Sequence, residues 1–384
     1  MQTYLFETEE HAALREQVRR FAVREVAPNA DAWEEAEEFP RALYARAAEA
    51  GILGVGYPEA HGGGGGDLSH AVVACDEMIL AGRSVGTSVG LGSHAIAIPP
   101  ILRAGTEAQK RRFVDPVLRG EKISALAITE PGGGSDVANL RTRAVRNGDH
   151  YVVDGTKTFI TSGVRADQVT VAVRTGGPGH GGVSLLVIER GTPGFGVGRK
   201  LKKMGWWASD TAELVFEDCR VPAENLLGVE DAGFLIIMQN FAIERVLLAA
   251  QCVSIATLAY RESIAYAKER HAFGKALSGF QVTRHKLADM ATRIAAVRAL
   301  TGEVVSRCVR QGDDPSLAGL AAMAKNAATD ACSAVCDEAV QIHGGYGYMR
   351  EYLVERLYRD ARLYPIGGGT REIMNEIISK TEDY

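Results

Sequence analysis

The sequence predicts an α+β chain in three parts: a helical N-terminal domain over residues 1–122, an antiparallel β domain over 123–230 and a C-terminal four-helix bundle over 231–384. Three observations carry this expectation. Apolar residues recur at helical spacing up to about Arg119, strand-like alternation sets in near Lys122, and long helical runs return after Gly228. Helices, then strands, then helices means segregated layers rather than alternating βα units.

In the first part, Leu14, Val18, Phe21 and Ala22, then Leu43, Ala47 and Leu53, then Val72, Val73, Met78 and Ile79 mark the inward faces. Pro28, Pro40 and the turn over 57–67 divide them into short helices. The glycine run 62–66 resembles a phosphate loop but lacks a preceding strand, a Lys-Ser/Thr ending and dinucleotide spacing, so it reads as a flexible turn. Residues 84–101 are rich in Gly, Ser and Ala, which either widens a channel or lets helices approach closely. In the second part, 123–129 reads as a strand, 150–155 with 158–161 as a hairpin, and 168–174, 183–189 and 211–217 as further strands. In the third, 234–270, 280–310, 316–344 and a last segment from Thr370 are the bundle helices.

Composition narrows the function. A net charge of -5 leaves no electrostatic footprint for nucleic acid. The six cysteines show no Cys-x-x-Cys or Cys/His metal spacing, and Cys332 and Cys336, one helical turn apart, read as helix packing. Without a basic, apolar leader or an apolar run of membrane-spanning length, the expectation is a soluble protein of a reducing cytoplasm, with no metal and no membrane insertion.

Glu244 stands out within the run from Phe241 to Leu248. It follows Phe241 by three residues and precedes Leu248 by four, which puts a carboxylate on the core face of a helix apolar on nearly every side. Burial disfavours the charged form, so such a group is either paired with a neighbouring helix or kept for proton chemistry.

Two pieces of the β domain suit a flat heteroaromatic ring. Ile128-Thr129-Glu130-Pro131 runs into Gly134-Ser135-Asp136 directly after a strand, offering bare amides and hydroxyls, and Phe159-Ile160-Thr161 offers a second polar edge with an aromatic beside it. Taken with Arg270-His271-Ala272-Phe273-Gly274, Gln341-Ile342-His343-Gly344-Gly345-Tyr346-Gly347, Arg359-Asp360-Ala361-Arg362 and Gly51-Ile52-Leu53-Gly54, in this order along nearly the whole chain, the sequence resembles the acyl-CoA dehydrogenase flavoproteins.

The resemblance implies FAD held between the β domain and the bundle in a homotetramer. It places the flavin ring against Ile128, Thr129, Gly134, Ser135, Phe159, Ile160 and Thr161. Arg270, Phe273, Gln281, Gln341, Ile342, His343, Gly344, Gly345, Thr370 and Glu372 would hold the pyrophosphate and adenosine, partly across a subunit interface. The physics agrees, since Arg270 can fork onto phosphate oxygens and Gly344-Gly345 lets the backbone approach them.

One departure is informative. In the short- and medium-chain branches the stretch matching Ile366-Gly367-Gly368-Gly369-Thr370 ends Tyr-Glu-Gly-Thr, and that Glu is the base. Gly368 stands in its place. In the isovaleryl-CoA and long-chain branches a Glu on the first bundle helix reaches the same point, and Phe241-Ala242-Ile243-Glu244-Arg245 looks like that segment. The implied reaction is α,β-dehydrogenation of a saturated acyl-CoA, of medium, long or branched chain, to the trans-2-enoyl-CoA. Glu244 would remove the pro-R α-proton, the Gly368 N–H would meet the carbonyl oxygen, and Ser135, Phe241, Arg245 and Gly367 would line the substrate. The vacancy at Gly367-Gly368 is expected to open room at the β-carbon. Electrons would pass to an electron-transferring flavoprotein. The alternatives are an acyl-CoA oxidase or flavin monooxygenase on the same scaffold, or a non-catalytic flavin or acyl-CoA binder.

Overall fold

In the N-terminal part, helices Glu9–Phe21, Ala42–Glu49 and Leu68–Gly82 bury Val18, Phe21, Leu43, Ala47 and Met78 in one cluster with Trp33 and Phe39. These positions come from the computed structural model, which describes residues 3–312 and 314–383. Asp67 starts the third helix by accepting the Ser69 N–H at 2.8 Å, so the chain turns where a capping side chain allows it.

The glycine run is tight rather than flexible. Gly64 N donates to Gly54 O at 2.7 Å and Gly65 N to Tyr57 O at 2.9 Å, and a Cβ at Gly63 would lie 2.2 Å from Tyr57 O. Glycine is needed there for close backbone approach. Close approach also explains the small residues over 84–101, because a Cβ at Gly90 would sit 2.6 Å from the Phe39 ring.

The middle part is one seven-stranded sheet: β1 (Ser124–Ala127), β2 (Arg143–Asn147), β3 (His150–Thr161), β4 (Gln168–Arg174), β5 (Val183–Glu189), β6 (Phe195–Lys200) and β7 (Thr211–Pro222). Most pairings are antiparallel, as expected, but β1 runs parallel to β4 from Ser124↔Gln168 to Ala127↔Val171, and β2 meets β4 in parallel at Arg143↔Arg174. A long excursion separates β1 from β4, so no tight turn forces them antiparallel.

The anticipated hairpin over 150–161 is instead a single strand, β3, paired along its length with β7. Asp154-Gly155 looks like turn chemistry, yet here it makes a bulge: Gly155 takes φ +147, with Thr142 Cα 2.7 Å from where a Cβ would stand. Phe159 then adopts φ +61 at a second irregularity between Lys157 and Ile160. The bulges re-aim this end of β3 toward the loop that leaves β1.

The long helices are Gly233–Glu269, Gln281–Gln311 and Leu317–His343, joined by the shorter Leu353–Ala361 and Arg371–Thr381. Leu317–His343 packs against the first, second and last of them, around Val246, Cys252, Ala256, Val304, Ala328, Cys332 and Cys336. Cys332 and Cys336 are thus core residues, as expected. Contrary to expectation, Gly233–Glu269 does have the length and hydropathy of a membrane-crossing helix, but 61% of its most apolar window is buried inside the protein. It is the central rod of the bundle core.

Candidate active site

The Gly233–Glu269 helix brings Glu244 against the triglycine turn of residues 367–369. A Cβ built on Gly368 would lie 3.5 Å from Glu244 Oε1, so the carboxylate stands at the spot a side chain on Gly368 would enter. Glu244 Oε2 is buried and without a hydrogen-bond partner, while the residue as a whole keeps partial exposure. Burial pushes its carboxyl up to about 7, against the opposing charges of Arg245 and Lys325.

Two cations hold the turn. Lys325, 1% exposed, donates from Nζ to Gly367 O at 2.6 Å and to Gly369 O, and Arg245 donates from Nε to Gly368 O at 3.3 Å. Burial, with Arg245 next, lowers the Lys325 ammonium to about 8. Gly368 has φ +65 and Gly369 φ +99, backbone that favours glycine. The room expected at Gly368 is not open, because Leu248 Cδ1 would lie 2.5 Å from a Cβ there. Leu248 follows Glu244 by one helical turn and so shares its face. Above Gly367 the nearest atoms are at ordinary contact distance.

The loop after β1 is built on a buried ion pair. Lys157, fully buried in β3, donates to Ile128 O at 3.0 Å and Glu130 Oε1 at 2.8 Å. Glu130 also accepts the N–H groups of Arg141 (2.6 Å) and Thr142 (2.8 Å). Burial alone would raise the Glu130 carboxyl, but the Lys157 charge and these donors hold it below its ordinary value. Thr158 N donates to Thr129 O at 2.9 Å, tying the loop to β3. Ile128 and Ile160 are buried, Thr129 and Thr161 partly so, and Gly134, Ser135 and Phe159 stand exposed, Phe159 at 69%. Ile128 and Phe241 belong to one apolar cluster, which joins this loop to the Glu244 helix.

A separate cavity of about 430 Å³ is lined by Tyr266, Arg270, Leu277, Ile342, His343, Gly344, Gly345, Tyr346 and Met349. Positions where Cβ atoms of Gly344 and Gly345 would stand are open. Among the described residues Arg270 makes no ion pair. An unpaired guanidinium beside bare backbone suits phosphate oxygens. Gln341, Phe273, Gln281 and Glu372 are exposed and outside this lining, and Thr370 caps the last helix by accepting Ile373 N at 3.4 Å. Within one chain the structure therefore assembles Glu244, Arg245, Gly367 and Gly368 in one place and five of the expected adenosine-side residues in another.

The acyl-CoA dehydrogenase N-terminal domain matches residues 8–121, the middle domain 125–219 and the C-terminal domain 231–382. The chain belongs to the acyl-CoA dehydrogenase family.

Within the family, a probable acyl-CoA dehydrogenase from Mycobacterium abscessus is 53% identical, with a TM-score of 0.95 over 97% of this chain and 98% of that one. The mouse mitochondrial long-chain specific acyl-CoA dehydrogenase is 42% identical over 97% of this chain and 86% of its own length. An acyl-CoA dehydrogenase from Bacillus anthracis, solved with FAD, is 32% identical with a TM-score of 0.91, over 98% of this chain and 68% of that one. The residues here fit that cofactor, with a phosphate-compatible cavity, polar loop edges and an exposed aromatic.

Sequence reasoning passed over Lys325 and Leu248 as site residues. The signal for Lys325 was present: it is the one charged residue in a buried row, with Ala321, Ala322 and Ala324 before it and Ala328, Thr329 and Cys332 after.

Proposed function

We propose that the protein catalyses FAD-dependent α,β-dehydrogenation of a saturated acyl-CoA thioester, with Glu244 as the base. The observation that carries this reading is the 3.5 Å between Glu244 Oε1 and the side-chain position left bare at Gly368. FAD, when bound, supplies the hydride acceptor. Ile128, Thr129, Gly134, Ser135, Phe159, Ile160 and Thr161 would hold its ring, and Arg270 with residues 341–345 its phosphates and adenosine.

Glu244 takes the α-proton onto its carboxylate. With Oε2 unpartnered and a carboxyl raised to about 7, it is a stronger base than a solvated glutamate and is half ionised near neutrality. The Gly368 N–H, which donates to no acceptor among the described residues, meets the thioester oxygen as negative charge develops there. Arg245 orients the turn through Gly368 O and contributes positive charge. Phe241 and Gly367 flank the acyl chain. Kinship with the long-chain mouse enzyme supports long acyl chains, and the family resemblance extends the reading to medium and branched chains and to a homotetramer that passes electrons to an electron-transferring flavoprotein.

The test is anaerobic flavin bleaching by straight and branched acyl-CoAs, repeated with Glu244→Gln. Wild type bleaches best with chains longer than butyryl or branched, reoxidises slowly in air, and the variant retains flavin without bleaching. Bleaching by the variant removes Glu244 as the base, and butyryl-CoA outpacing every other chain removes the substrate assignment.

A further inference from the structure

Lys325 is buried without a carboxylate partner. Among the described residues it forms no ion pair, and its ammonium is spent on the carbonyls of Gly367 and Gly369 in a helix otherwise packed with alanines. A buried charge of this kind costs more than an apolar residue of equal size, so its position needs a reason beyond packing.

The geometry of the turn supplies one. In a trans peptide the C=O and the following N–H point in opposite directions, and the described chain contains no cis peptide. Drawing Gly367 O toward Lys325 therefore turns the Gly368 N–H away from it. Arg245 does the same to Gly368 O, and Lys325 again to Gly369 O, so three consecutive carbonyls face cations. The Gly368 N–H is left on the opposite side with no acceptor among the described residues.

We propose that Lys325 is a positioning residue for the dehydrogenation. Its ammonium clamps the triglycine turn so that the Gly368 N–H is preset to receive the thioester oxygen, and it lends positive charge to Glu244. This deepens the proposed reaction and rests on it. The charged and titratable groups that face Lys325 are Glu244, Arg245 and Cys252 of the Gly233–Glu269 helix and Arg371 of the last helix. Of these, Glu244 is the carboxyl that burial raises to about 7.

The experiment compares wild type, Lys325→Met, Lys325→Arg, Lys325→Gln and Glu244→Gln as FAD-loaded enzyme. It reads the limiting rate of anaerobic flavin reduction, acyl-CoA affinity, the pH profile of reduction and the isotope-edited carbonyl stretch of a bound 2-enoyl-CoA. In Lys325→Met the limiting rate falls about ten- to a hundredfold, less than outright loss of an oxyanion donor, while affinity changes far less. The carbonyl stretch moves toward its value in water, and the pKa governing reduction rises. Lys325→Arg restores most of the rate.

A Lys325→Met enzyme that keeps its flavin, reduces it within about twofold of wild type and leaves the carbonyl stretch unmoved overturns the proposal. If the Met variant does not load flavin, Arg and Gln variants with equal rates and an unmoved stretch overturn it equally. Glu244→Gln separates the two readings. Bleaching there sinks the base assignment, whereas its loss combined with indifference at Lys325 sinks the clamp alone.

Discussion

Glu244 is the residue whose removal should both abolish the reaction and stabilise the protein. Its carboxyl lies at about 7 in the fold against an ordinary 4.5, because burial opposes its charge. That rise corresponds to about 3 kcal/mol of preference for the protonated form. The folded state therefore binds this proton more tightly than the unfolded chain does, and stability falls as pH climbs from about 4.5 to about 7, then levels off. Glutamine copies the protonated form at every pH. Glu244→Gln should accordingly match wild type at pH 4 and exceed it by about 3 kcal/mol at pH 8. With unfolding entropy of roughly 2 cal/mol/K per residue, that gain is a rise of about 4 °C in Tm for a chain of this size.

Denaturation of flavin-free protein at both pH values measures the difference without the contribution of cofactor binding to stability. The refuting result is a gain of equal size at pH 4 and pH 8, or none at pH 8. Either would mean that Glu244 is solvated as an ordinary surface acid, and its competence as a base would fall with it.

Lys157→Met should lower stability by about 3–5 kcal/mol by leaving Glu130 buried without its cation. Because Lys157 also holds Ile128 O, flavin content after purification should drop in step, and a destabilised variant with full flavin would show that the pin does not support the loop. Gly368→Ala should cost about 1–2 kcal/mol for left-handed backbone alone, plus a clash with Leu248 Cδ1. Leu248→Ala should relieve the clash, so denaturant midpoints of the double variant should exceed the additive expectation by about 1 kcal/mol. Strict additivity would mean the turn moves aside.

The long bundle helices were legible to within a residue at each end, 234–270 against Gly233–Glu269 for the first, because their apolar periodicity runs for many turns. Two strands left no such trace. In Phe195–Lys200 no residue is buried, and in Arg143–Asn147 only Ala144 is, so each exists through backbone pairing with β7 or β3 rather than through its own alternation. The break expected between 155 and 158 is a bulge instead, because the conformation of Gly155 depends on the close approach of Thr142, just before β2, which lies thirteen residues earlier in the chain. Glu244 was legible as a charge in an apolar helix. Its place one turn before Leu248 was legible too, and the resemblance set it opposite Gly368; the Lys325 contacts to the triglycine turn were not, since they join positions more than forty residues apart.

That relation explains why the acid and the glycine belong together. Glu244 and Leu248 lie one turn apart on one helix face, and both fill the space beside Gly368. With this helix face in place, a Cβ at 368 would meet Leu248 Cδ1, so an acid at Gly368 would require the Leu248 side chain to turn aside from the space Glu244 also occupies. The bare turn in turn exposes three carbonyls that Lys325 and Arg245 take up, leaving two cations close to the base. Their charge opposes, without cancelling, the burial that raises Glu244. The same cations stand ready when negative charge moves from the base toward the thioester oxygen, so the proton can leave the substrate without the site acquiring an unbalanced charge.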